Sequence, residues 1–145
     1  MYEELKLDNQ VCFRIYTASR LIAQAYRPIL EPLGLTYPQY LVMLVLWEHD
    51  NLTVNEIGRR MMLESNTLTP LLKRLEQDNL VVRSRGIVDN RQTLVTLTKK
   101  GRHLETLAKE IPECLNKCRQ DKYLDDKNKA SFNLVLDKMI DSLKV

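Results

Sequence analysis

Glycine and proline are scarce in these 145 residues, four and five respectively. That excludes collagen-like, low-complexity and linker-rich chains and leaves most of the sequence free to be helical. Long apolar runs are also missing. The longest stretches only from Tyr40 to Trp47, far short of the roughly 20 residues that cross a bilayer. Tyr2-Glu3-Glu4 stands where a secretory leader carries a basic and then an apolar stretch, so a cytoplasmic protein without membrane contact is expected. Histidine is limited to His49 and His103, and cysteine to Cys12, Cys114 and Cys118. An odd cysteine count without a leader argues against a structural disulfide framework. Cys114 and Cys118, four apart, offer two ligands where zinc usually takes four, so neither a metal nor a cofactor is expected. The two histidines read as ordinary surface or helix-packing residues.

What is present is the composition of a folding globular chain, 44% hydrophobic and 28% charged, with the length of a single domain. The net charge of +3 is uninformative until it is divided along the chain. Residues 1–52 carry a net −2 and residues 103–145 a net zero, whereas residues 53–102 carry +5. The positive charge sits in the middle.

Apolar positions Val11, Ile15, Ala18, Ile22, Ala25 and Ile29 recur at three- and four-residue steps, which predicts one long amphipathic helix from Leu7 to Leu30 closed by Gly34. Thr36-Tyr37-Pro38 opens a second helix through Glu48, apolar nearly all round. Thr53 and Asn55 precede a short helix to about Met62, and Ser65 caps another to about Asp78. The β-branched runs 80–84 and 93–97 flank a stretch holding Gly86 and Asp89-Asn90, a hairpin with a long polar tip. Thr98 caps a helix continuing past Pro112 to about Gln120, and a last helix runs from Asp125 or Asp126 through Leu143. The expected class is mainly α (α+β), a winged helix-turn-helix with long N- and C-terminal dimerisation helices. Residues 1–145 form one domain, with arms at about 1–35 and 103–145 around a core at about 36–102.

A helix that reads the major groove presents small polar and basic side chains near its N-terminus. With Leu68, Leu71, Leu72 and Leu75 facing inward, the helix from Ser65 presents Asn66, Thr67, Thr69, Lys73 and Arg74 outward. Pro70 falls in its second turn, a rigid apolar surface without a role of its own. The same pattern also fits a merely solvated face. The hairpin adds Arg83, Arg85 and Arg91 against a single acid, Asp89, a basic tip suited to the electronegative minor groove. Asp89, two residues before Arg91, is placed to hold that arginine by a charge-assisted bond.

Asp89-Asn90-Arg91 followed by Leu94-Val95-Thr96-Leu97-Thr98-Lys99-Lys100-Gly101 resembles the wing signature of the MarR family of winged-helix transcriptional regulators. Thr67-Leu68-Thr69-Pro70-Leu71-Leu72-Lys73-Arg74-Leu75-Glu76 is similar to that family's recognition helix. The resemblance implies a homodimer with interlocked terminal helices, each winged domain reading half of a palindromic double-stranded operator.

Cys12 reads either as a small buried hydrophobe or as a reactive thiol. Tyr16 lies one turn on, on the same face. Tyr26 is near that face too, but fourteen residues on, about 21 Å along the axis, so only an antiparallel partner helix would bring it to Cys12. Tyr37 would join from the next turn. Phenolic hydroxyls donate to sulfur and stabilise a thiolate, the form that peroxides oxidise. Asp8-Asn9-Gln10-Val11-Cys12-Phe13 with Tyr16, Tyr26, Leu35-Thr36-Tyr37-Pro38-Gln39-Tyr40 and Leu46-Trp47-Glu48 closely resembles the organic hydroperoxide resistance regulators, the OhrR subgroup. That resemblance implies that Cys12 senses an organic hydroperoxide amid Tyr16, Tyr26 and Tyr37, and that oxidation releases operator DNA. Some members resolve the oxidised sensor with a distal cysteine, here Cys114 with Cys118 in reserve, and others with a small thiol. Two thiols packed in a helical interface is the plainer reading. A regulator of the same fold responding to a small aromatic ligand, with Cys12 structural, is the alternative. A thiol-dependent redox enzyme is disfavoured, since it leaves the basic wing without purpose and Cys12 without a general acid or base beyond phenols.

Overall fold

The structure, a computed structural model, describes residues 1–118 and 126–144. Among the described residues seven α-helices and three strands follow in the order α1 (Val11–Leu30), α2 (Tyr37–Glu48), β1 (Leu52–Thr53), α3 (Val54–Met61), α4 (Ser65–Gln77), β2 (Val81–Arg85), β3 (Thr93–Leu97), α5 (Lys99–Ala108), α6 (Ile111–Cys118) and α7 (Asp126–Leu143). This is a winged helix-turn-helix, as expected. The chain divides into two compact units, Met1–Pro112 and Glu113–Val145.

Local chemistry sets the boundaries in the first unit. Thr36 and Gln39 form a capping box at α2, and Thr53 and Glu56 form another at α3, each satisfying two of the backbone N–H groups a helix start leaves free. The N–H and hydroxyl of Thr53 hold the Glu56 carboxyl below the usual carboxylate range. Thr98 accepts from Gly101 N–H to cap α5, and Gly34, at φ 68°, reverses the chain after α1. Around this frame Val42, Met43 and Leu46 of α2, Ile57 of α3, Leu68, Leu72 and Leu75 of α4, and Val81 and Val95 of the sheet are buried together.

Several boundaries differ from the sequence expectation. Helix α1 starts at Val11, because residues 3–5 and 7–9 form single 3-10 turns instead. Ser65 does not cap α4: Glu64 holds the extended cap position, and Ser65 is the first helical residue. The helix expected to continue past Pro112 breaks after Ala108 and restarts at Ile111, which puts Pro112 in a first turn, where its missing N–H costs nothing. A third strand was not foreseen. Two residues long, β1 pairs antiparallel with β3 through Leu52 to Val95 and Thr53 to Leu94, giving the order β1-β3-β2. A two-residue strand carries too little alternation to register as a pattern.

Of the twenty residues of α1, only Leu30 is buried. Its first eleven residues leave Val11, Phe13, Tyr16 and Leu21 exposed, and in the second unit α7 leaves Phe132, Leu134, Val135, Ile140 and Leu143 exposed. Among the described residues no single helix is long and apolar enough to cross a membrane.

Candidate nucleic-acid interface and thiol site

The leucines of α4 anchor one face of the helix, Leu68, Leu72 and Leu75 fully buried and Leu71 partly, and so turn the other face outward. Ser65, Asn66, Thr67, Thr69, Pro70, Lys73 and Arg74 are all exposed on it. The small polar groups are already engaged. Thr69 donates to the Ser65 carbonyl at 2.6 Å, and the Ser65 hydroxyl reaches Asn55 Oδ1 of α3 at 3.4 Å. In the first turn Thr67 Oγ1 donates to Asn66 Oδ1 at 3.4 Å, a long and exposed bond that a ligand can displace. Arg74 has a loose partner in Asp78 at 3.8 Å.

The wing stands beside this helix. Ser65, Thr69, Arg83, Arg91 and Thr93 line a common cleft of about 240 Å³ with Asn55, so the start of α4 and the base of the wing face one space. Asn55 is a site residue that sequence reading did not single out; its position in the first turn of α3 was the only cue.

Two wing residues behave differently from expectation. Arg83 is engaged with Glu76 of α4: its guanidinium donates at 2.8 and 3.0 Å and its backbone N–H at 3.0 Å. Asp89 accepts the backbone N–H of Arg91 at 2.9 Å and leaves the guanidinium unheld, so it shapes the turn rather than the arginine's pose. Arg85, Arg91 and Lys73 have no acidic partner within 4 Å among the described residues. The tip is also less polar than expected, with Ile87 and Val88 at its apex.

The Arg83 bonds hold the Glu76 carboxyl below the usual carboxylate range. A carboxyl depressed in the folded state stabilises above its unfolded value, about 4.3, and loses that contribution as pH falls through the folded value. Glu76→Gln should therefore melt below wild type at pH 7, with the gap closing as pH drops beneath about 4. Thermal melts across that range check it; a gap independent of pH would rule the ion pair out as the cause.

Cys12 is exposed in the first turn of α1. There the backbone N–H groups have no intrahelical partner and favour negative charge. Tyr16, a turn on, is also exposed. Tyr26 and Tyr37 are stacked at 4.6 Å between ring centroids, and Tyr40 joins them at 5.9 and 6.5 Å. Burial pushes the Tyr37 and Tyr40 phenols up, with Tyr26 adding to both, so both keep a proton to donate. Tyr40 in turn meets Trp47 edge-on at 6.3 Å, and the Trp47 indole donates to the Gly101 carbonyl at 2.9 Å. Fourteen residues of continuous helix separate Cys12 from Tyr26, about 21 Å. One chain therefore holds the thiol and the buried phenols at opposite ends of α1.

Cys114 is an exposed thiol on α6, in the second unit; Cys118 ends that helix, and its side chain lies outside the described residues. A cleft of about 450 Å³ lies at the α1–α2 corner, lined by Ala23, Arg27, Glu31, Leu35 and Tyr37. No group of three potential metal ligands occurs among the described residues.

Comparison with known proteins agrees with this geometry. The family described as transcriptional regulator SarA/Rot matches residues 24–106. The organic hydroperoxide resistance transcriptional regulator of Bacillus subtilis is 47% identical over 111 residues, 77% of this chain and 76% of its own. AbfR of Staphylococcus epidermidis, solved in reduced form bound to DNA, is 40% identical with a TM-score of 0.82 over 98% of both chains. The same protein solved with a disulfide formed is 43% identical, with a TM-score of 0.65 over 97% of this chain and 94% of its own.

Proposed function

Since the chain belongs to the SarA/Rot family of transcriptional regulators, winged-helix proteins of MarR type, we propose that it is a homodimeric, cytoplasmic repressor. When reduced it holds a palindromic operator, and it releases that operator when an organic hydroperoxide oxidises Cys12. The observation that carries the reading is the division of the thiol site. Cys12 and Tyr16 open α1 while Tyr26, Tyr37 and Tyr40 cluster near its far end, so an antiparallel α1 from a second copy completes the site. The exposed apolar residues of α1 and α7 supply faces for such a dimer.

In the chemistry this implies, the Cys12 thiolate attacks a peroxide oxygen. The S–O bond forms as the O–O bond breaks, and the alkoxide leaves as an alcohol, giving the sulfenic acid. A second thiol then attacks that sulfur and expels water, forming a disulfide. Cys114 is the exposed candidate, with Cys118 second. The relative AbfR, solved both reduced on DNA and with a disulfide formed, supports this order of events. Moving α1 alters the spacing of the two winged domains, and half-sites at fixed spacing tolerate little of that. Asn66 and Thr67 are assigned to base edges, with Ser65, Thr69 and Pro70 lining that face. Lys73, Arg74 and Arg85 are assigned to phosphates and Arg91 to the minor groove, while Arg83 and Asp89 position the wing.

The test is a gel-shift titration with tert-butyl hydroperoxide on a duplex that the reduced protein selects from a random-sequence pool. Release is expected, and binding indifferent to peroxide would sink the sensor reading. On the same duplex Arg91→Ala should bind about tenfold more weakly, and an unchanged affinity would remove Arg91 from the interface. Non-reducing electrophoresis of Cys114→Ser and Cys118→Ser identifies the resolving thiol by which change abolishes the crosslinked dimer; if neither does, the assignment of a distal resolving cysteine fails, whereas an oxidised wild type that forms no crosslinked dimer is resolved by a small thiol. The α1–α2 cleft supports a second reading, a small aromatic effector at Tyr37 with Cys12 idle, which predicts release by ligand and none by peroxide.

A further inference from the structure

The apex of the wing carries side chains that neither the basic groups nor the thiol explains. Ile87 is 95% exposed and Val88 fully so. They sit on a closed loop: Gly86 N–H donates to the Gln92 carbonyl at 2.9 Å, Gln92 N–H to the Asp89 carbonyl at 3.1 Å, and Arg91 N–H to the Asp89 carboxylate at 2.9 Å. A Cβ at position 86 would lie 2.6 Å from the Asp89 carbonyl oxygen, so the loop closes in this form around glycine. Turn apices are ordinarily Asn, Asp, Gly or Ser. Single exposed apolar residues are common, but here two β-branched neighbours crown a tied loop whose base carries the unpaired Arg85 and Arg91. That arrangement matches a surface apolar in its interior and anionic along its rims. The minor groove of DNA is such a surface, with sugar walls between two phosphate rows and base steps that apolar side chains prise apart. Stiff χ1 rotamers mean that little freedom is lost on entry.

We propose that Ile87 and Val88 form an apolar wedge that enters the minor groove beside the bases faced by α4 and opens it. The protein then discriminates flanking base steps by how readily they deform. The proposal rests on the DNA-binding reading above and adds to it a specificity element that makes no base hydrogen bond. TA steps are flexible, whereas AA runs are stiff with a narrow groove. Both present the same minor-groove acceptors, so a preference between them reports deformability.

The experiment uses the reduced, full-length protein and the selected duplex made in two versions, with TA or AA steps where the wing falls. By fluorescence anisotropy, wild type should bind the TA version about tenfold more tightly. The double variant Ile87→Ser, Val88→Ser should bind both versions at the weaker affinity, with an unchanged melting temperature. Arg91→Ala should weaken both and keep the TA preference. Equal wild-type affinity for the two versions overturns the wedge. So does a double variant that retains the preference while Arg91→Ala binds weakly, an outcome that leaves the DNA reading standing. If wild type selects no duplex at all, both fall.

Discussion

Cys12→Ser is expected to bind the selected duplex within about twofold of wild type and to stay bound through a hydroperoxide titration that strips wild type from it. The substitution exchanges one sulfur for oxygen at an exposed position in the first turn of α1, so packing and the wing are untouched and reduced-state binding should persist. What is lost is the sulfur's capacity to be oxidised, the only step in the scheme that consumes peroxide. Because release needs a difference in DNA affinity between two states of the protein, deleting access to the oxidised state abolishes the response instead of shifting its midpoint. Peroxide-driven release of Cys12→Ser would transfer sensing to another residue, and Cys114 would be examined next. Tyr26→Phe supplies a graded companion. Its ring keeps the stack but loses the hydroxyl, so oxidation should slow while DNA affinity holds.

The second large effect concerns stability. Gly101→Ala should cost about 3 kcal/mol or more, lowering the melting temperature by roughly 10 °C, although alanine is the better helix former by about 1 kcal/mol. A Cβ at 101 would lie 2.1 Å from the Leu80 carbonyl oxygen and 3.2 Å from Leu97 Cδ2. That carbonyl cannot retreat cheaply, since it accepts from the Thr98 backbone N–H at 3.0 Å and its hydroxyl at 3.2 Å. The clash therefore displaces α5 from the base of the wing. Gly34→Ala is the control. Its Cβ meets nothing within 4 Å, so only the left-handed backbone at φ 68° is penalised, by about 1 kcal/mol. If Gly101→Ala melts no lower than Gly34→Ala, the close approach is not what holds α5 in place.

Much of this architecture was legible because its signals are local. Thr36, Thr53 and Thr98 are caps with a mechanism, and the leucines of α4 have a period. The β-branched runs on either side of Gly86 describe a hairpin. What escaped is what depends on partners distant in sequence. Arg83 read as a free cation because Glu76 lies on another element and only the fold brings the two together. Asp89 and Arg91 read as an ion pair because both carry charge, whereas the bond between them uses a backbone N–H that no side-chain inventory counts. Ile87 and Val88 were absorbed into a polar tip because burial, not identity, makes them unusual. On the sensing side, the stack of Tyr26, Tyr37 and Tyr40 depends on the α1–α2 corner, which helical spacing within α1 does not report. That Cys12 lies far from them within one chain followed from helix rise alone.

Trp47 is the chain's single tryptophan, and its position has an optical consequence. Its ring stands against Tyr40 at one end of the tyrosine stack while its N–H holds the Gly101 carbonyl where α5 leaves the wing. Indole emission from the protein thus arises at one joint, with tyrosine donors a few ångströms away on one side and the wing's anchor on the other. Excitation through tyrosine and excitation of the indole alone view that joint from opposite ends, so the native chain carries its own label for any motion passing between the phenols and the wing.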